Sequence, residues 1–93
     1  MGKDEGMNGV RTHILLVKDN PGDARILREL LAEGNADRFT LTHVDRLDTG
    51  ILCLDQSAIN IILLDLSLPD SQGAETLARM HAAAKGIPIV LMT

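Results

Sequence analysis

Four consecutive apolar residues, Ile61 to Leu64, run directly into Asp65 and then into Leu66-Ser67-Leu68-Pro69-Asp70. A short unbroken apolar run bounded by turn residues suits a strand buried on both faces, as in the middle of a parallel sheet. Asp65 then falls at the C-terminal end of a central strand, the edge at which open α/β sheets gather their ligands. Aspartate is poor strand material, so its presence there asks for a reason. Taken alone, Asp65 reads as the start of a turn or as a helix cap. A second run of the same form changes the balance: Ile14-Leu15-Leu16-Val17 ends at Lys18-Asp19.

The stretches between these runs alternate in kind. Asn20-Pro21 is a helix start, with asparagine a good N-cap and proline pre-set for the first helical position. Asp23 adds the negative charge that a first turn favours. Ala24, Leu27, Leu30 and Leu31 recur at helical spacing, and Gly34-Asn35 supplies a stop, which predicts a helix over 21–33. Phe39 to Val44 alternates apolar and polar residues, the pattern of a half-buried edge strand. Leu47, Ile51, Leu54 and Ala58 predict a helix over 46–57, ahead of the central strand at 60–65. Leu77, Met80 and Ala84 mark an Ala-rich helix over 73–85, closed by Gly86. A fourth apolar strand fills 87–93, with Pro88 near its start, where proline is tolerated. The order β-α-β-α-β-α-β predicts a doubly wound parallel sheet with right-handed crossovers. Residues 1–11 read as a flexible polar tail and 12–93 as one domain.

Composition narrows the function. With 93 residues the chain makes one small domain, and its core must be aliphatic, since Phe39 is the single aromatic residue. A formal charge of −4 argues against nucleic acid or an anionic membrane as main partner. Cys53 stands alone, which excludes an internal disulfide and suits a cytoplasmic setting. No apolar run approaches a membrane span. His13, His43 and His81 show no metal-ligand spacing, and Cys53 reads as a small core residue. Asp70 reads as serving its own turn or the start of the third helix.

Three landmarks now stand together. Ile14-Leu15-Leu16-Val17-Lys18-Asp19-Asn20, Leu63-Leu64-Asp65-Leu66-Ser67-Leu68-Pro69-Asp70 with Gly73, and Pro88-Ile89-Val90-Leu91-Met92-Thr93 resemble the motifs of response-regulator receiver domains, in the right order. The resemblance covers the chain from residue 13 onward. It implies a flavodoxin-like fold of five strands in the order 2-1-3-4-5, with Asp19 brought against Asp65. It further implies that Asp65 accepts a phosphoryl group from a histidine kinase or phosphotransfer protein. Mg²⁺ would be held by Asp19, Asp65 and the backbone carbonyl of Ser67. Thr93 matches the hydroxyl residue that turns toward the phosphoryl group, and Pro69 and Gly73 shape the loop after the acceptor. The chemistry is coherent: a carboxylate is a competent nucleophile toward phosphorus, and a hard dication offsets the repulsion between carboxylates and phosphate.

Two departures accompany the resemblance. Lys18 stands where the family usually has an acidic residue. It either pairs with Asp19 or Asp65 or snorkels outward and leaves a weakened Mg²⁺ site, and the weakened site is the preferred reading. The sequence also ends after the fourth strand, which reads as a truncated receiver domain that self-associates through that strand. The leading expectation is a signalling switch rather than an enzyme. The alternatives are a pseudo-receiver that only binds partners and an aspartate-nucleophile phosphohydrolase. The last wants a second acid two residues after the nucleophile, where this chain has Ser67.

Overall fold

The computed structural model describes residues 11–35 and 38–92, so the expected tail, apart from Arg11, lies outside the described residues. The two apolar runs form strand β1, Thr12–Val17, and strand β3, Ile61–Asp65. They pair in parallel, with Leu15 beside Ile62 and Val17 beside Leu64. Helix α1 (Pro21–Asn35) leads from β1 to β2 (Phe39–Val44), and α2 (Leu47–Gln56) leads back to β3. Two short strands follow, β4 (Ser67–Leu68) and β5 (Ser71–Gln72), forming an antiparallel ladder of their own. Helix α3 (Gly73–Ala84) and β6 (Ile89–Met92) come last. The main sheet is parallel throughout, in the order β2-β1-β3-β6.

That order fixes where the helices lie. From β1 the chain steps one way across the sheet to β2, then steps the other way to β3 and β6. Right-handed crossovers therefore put α1 on one face and α2 with α3 on the other. Strand alternation divides the side chains to match. Leu15, Val17, Ile62 and Leu64 join Leu47, Leu68 and Met80 in one buried cluster. Ile14 and Leu16 point to the opposite face and are buried too, as is Ala24 of α1. Gly50 allows α2 a close approach: a Cβ there would stand 3.0 Å from Cγ2 of Val17 and 3.4 Å from Cε of Met80.

The predicted α/β architecture is the observed one, a flavodoxin-like sheet that is incomplete beside the family's five strands. The differences are local. Gly34 and Asn35 belong to the last turn of α1 instead of ending it. Ala58 lies beyond α2 and is exposed. Leu30 is 59% exposed and Ile26 58%, so α1 buries a stripe narrower than its periodicity implies. Among the described residues α1 is alone on its face of the sheet, and only the side turned to the strands is covered. Cys53 packs half-buried against the core. Among the described residues, no helix is long and apolar enough to cross a membrane.

Candidate functional site

The carboxyl ends of β1 and β3 lie side by side, and the chain leaves them toward opposite edges of the sheet. A reversal of this kind opens the crevice in which α/β sheets hold ligands. Lys18 and Asp65 each follow a residue of the Val17–Leu64 pair and meet there, with Nζ of Lys18 3.3 Å from Oδ2 of Asp65. Oδ1 of Asp65 accepts the N–H of Ser67 at 3.0 Å. The same ammonium is 3.4 Å from Oδ2 of Asp23. The Lys18 and Asp65 side chains are only 12% and 13% exposed.

Local structure explains the convergence. Oδ1 of Asn20 accepts the N–H groups of Gly22 at 2.8 Å and Asp23 at 3.3 Å, the capping that Asn-Pro predicts. This cap fixes the turn that carries Asp23. The Lys18 backbone is held from β2: its N–H donates to the Val44 carbonyl at 3.0 Å, and its carbonyl lies 2.7 Å from Nε2 of His43. Burial alone pushes the Lys18 ammonium toward deprotonation. Hydrogen bonding and attraction from Asp65, and then from Asp23, outweigh burial and hold its pKa above the ordinary 10.5. Stability from this raised pKa is present below 10.5 and lost only as pH rises through the raised value, so it is constant across the neutral range.

Lys18 therefore turns inward, onto Asp65, rather than snorkelling out. Its second partner is Asp23, which the sequence alone marks only as a helix-dipole residue. The Asn20 cap three residues before Asp23 is the available signal, since it sets the first turn of α1 against the end of β1. Asp19 is exposed in the same turn. Thr93 lies outside the described residues.

The loop after Asp65 is braced by α3. The Leu66 carbonyl accepts the Gly73 N–H at 2.8 Å, and Oγ1 of Thr76 lies 3.2 Å from it. Gly73 adopts φ +62°, the left-handed region that favours glycine. Pro69 is exposed at the tip between β4 and β5. Asp70 corrects an expectation: besides a bond with its own backbone, it serves α2 rather than α3. Its Oδ1 accepts the N–H of Leu47 at 2.8 Å and its Oδ2 that of Asp48 at 3.0 Å, capping α2 from a distant loop. Arg46 stands 3.9 Å from Oδ2. Burial pushes the Asp70 pKa up, but these N–H bonds, one with its own backbone, and the Arg46 charge hold it below the ordinary 3.8.

The implied Mg²⁺ donors are of the right type for a hard cation. Yet an ammonium already sits on Oδ2 of Asp65. Among the described residues, no three His, Cys, Asp or Glu side chains are grouped to hold a metal. As arranged, these residues do not fit a divalent ion.

A family model described as the response regulator receiver domain matches residues 14–93. The chain belongs to that family. Response regulator Rcp1 of Synechocystis is 34% identical over 88 residues, covering 86% of this receiver domain and 60% of Rcp1. The MaeR response regulator, solved bound to beryllium trifluoride, has a TM-score of 0.75 and 28% identity, covering 88% of this chain and 66% of its own. The phosphorylated cyanobacterial phytochrome response regulator RcpA gives 0.73 and 29%, covering 88% and 64%. The receiver domain thus spans less than two thirds of each of these chains.

Proposed function

We propose that this receiver domain is a phosphoacceptor switch, not an enzyme, that takes a phosphoryl group on Asp65 from a histidine kinase or phosphotransfer protein in the cytoplasm. The observation that carries this reading is the position of Asp65. Its carboxylate closes the central strand at the β1/β3 reversal, with Oδ1 oriented by the Ser67 N–H. An oriented carboxylate attacks phosphorus to form an aspartyl phosphate, and the donor group departs with the electron pair of the bond that breaks. RcpA is solved phosphorylated, and MaeR carries beryllium trifluoride; both are proteins to which this chain is similar. The resemblance gives Asp19, Asp65 and the Ser67 carbonyl a Mg²⁺ role, which the Lys18 ammonium on Oδ2 of Asp65 opposes. Thr93 would contact the phosphoryl group, while Pro69 and Gly73 shape the loop.

The Lys18–Asp65 ion pair gives specific support to a second reading, a pseudo-receiver whose acceptor is permanently paired. The hydrolase reading has no such support, because Ser67 stands where a second acid is needed. Intact-mass measurement after incubation with acetyl phosphate and Mg²⁺ separates them. One added phosphoryl group, absent from Asp65→Asn, is the outcome of the switch. Undiminished labelling of the Asn variant refutes Asp65 as acceptor, and no labelling of the wild type leaves the pseudo-receiver.

A further inference from the structure

The ammonium of Lys18 lies between two carboxylates, 3.3 Å from the largely buried Asp65 and 3.4 Å from the half-exposed Asp23. Its backbone is held on both polar atoms by β2, through Val44 and His43, so the side chain that carries the charge starts from a fixed point beside Asp65. A cation held between carboxylates at the end of a central strand does what a divalent ion would do there: it offsets the repulsion that opposes an incoming phosphoryl group. The charge count agrees. Lysine in place of an acid moves the local charge two units in the positive direction, the charge of one divalent ion. With Lys18 counted, Asp19, Asp23 and Asp65 leave two net negative charges before any metal binds, where an acid in its place would leave four.

We propose that Lys18 is a tethered replacement for the metal, so that Asp65 is phosphorylated without a divalent cation. The proposal rests on Asp65 being the acceptor and concerns what neutralises the charge around it. Lys18 is a positioning and charge-stabilising residue in this scheme. As the phosphoryl group arrives, the ammonium shifts from Oδ2 of Asp65 to the phosphoryl oxygens and frees Oδ2 for attack. With acetyl phosphate the step balances without a proton or a redox partner. The Asp65 oxygen forms the new O–P bond, the acetyl O–P bond breaks, and acetate leaves with the electron pair.

The test measures two things on the 93-residue chain. Intact mass is followed with acetyl phosphate, once in EDTA and once in Mg²⁺. Mg²⁺ affinity is followed separately by amide chemical shifts, on the wild type and on Lys18→Asp. The wild type should label in EDTA at a rate within about threefold of that in Mg²⁺. Lys18→Met, which keeps the apolar stem and removes the charge, should lose at least about tenfold of the metal-free rate, equivalent to roughly 1.4 kcal/mol. Lys18→Asp should bind Mg²⁺ at least about tenfold more tightly than the wild type, by the same conversion. Label on the wild type in Mg²⁺ but not in EDTA overturns the tethered-cation proposal and leaves Asp65 as acceptor. Equal or weaker Mg²⁺ affinity in Lys18→Asp overturns it as well. Absence of label in both conditions overturns the acceptor reading, and this proposal with it. The EDTA arm uses the wild type alone, so it decides the matter even if a Lys18 variant does not fold.

Discussion

Asp70 gives both carboxylate oxygens to a helix that begins more than twenty residues before it in the chain. The first backbone N–H groups of a helix have no partner within it, and Arg46, the residue at the N-cap of α2, makes no side-chain cap. Asp70 fills that gap and in doing so ties the acceptor loop to α2. Asp70→Ala should therefore destabilise the fold by about 1 kcal/mol, within the 0.5–2 kcal/mol known for lost caps. Asp70→Asn, which keeps an acceptor oxygen, should cost less. The sign of the pH dependence follows from the depressed pKa. The contribution is complete above the ordinary 3.8 and is lost as pH falls through the lowered value. Urea melts at neutral and acid pH check this: the gap between wild type and Asp70→Ala should narrow in acid, and a constant gap would exclude the charged cap. The sequence does not disclose this role, because capping patterns are local and this cap comes from a residue more than twenty positions away. Asp65 and Lys18 were legible because each ends an apolar run. Their contact, and the part of Asp23, needed the parallel register of β1 and β3.

At the scale of elements, α3 is set by its first residues. Gly73 donates its N–H to the Leu66 carbonyl and holds φ at +62°, so the turn out of β5 is made by one left-handed residue. A Cβ at this position would meet no atom within 4 Å, so the cost of a side chain there is conformational alone. Gly73→Ala should lower stability by about 1 kcal/mol, the penalty for a left-handed alanine, and Gly73→Asn by less. Thermal melts of the two variants measure the difference; a Gly73→Ala protein as stable as wild type would mean that the turn relaxes. Strands and helices themselves were legible from the sequence, since buried apolar runs and 3.6-residue periodicity survive packing. The exposure of Leu30 was not. Periodicity reports which residues share a helix face, whereas burial depends on what lies against that face. For α1 only one sheet does so among the described residues.

At the scale of the whole molecule, the β6 edge of the sheet is an exposed aliphatic seam. Strand β6 pairs with β3 on one side, and among the described residues its other side pairs with no strand. Val90 and Leu91 fall on opposite faces of the sheet, and each is 45% exposed. Ile89–Met92 itself carries no lysine, no proline and no bulge, the devices by which sheet edges avoid each other. On the α1 side, Ile26 and Leu30 lie four residues apart and form a further exposed aliphatic row. Exposed apolar surface of this kind favours association, and a domain of this size has little stability to set against leaving it in water. A second copy meets the need directly, because two β6 edges pair backbone to backbone while Val90 and Leu91 cover one another. The 93-residue chain should therefore sediment as a dimer or larger species at concentrations on the order of tens of micromolar, where exposed edges associate. Val90→Lys combined with Leu91→Lys should return it to monomer by placing charge on both sides of the seam. A folded wild-type monomer at those concentrations contradicts pairing through β6, and so does an assembly that the double lysine variant leaves intact.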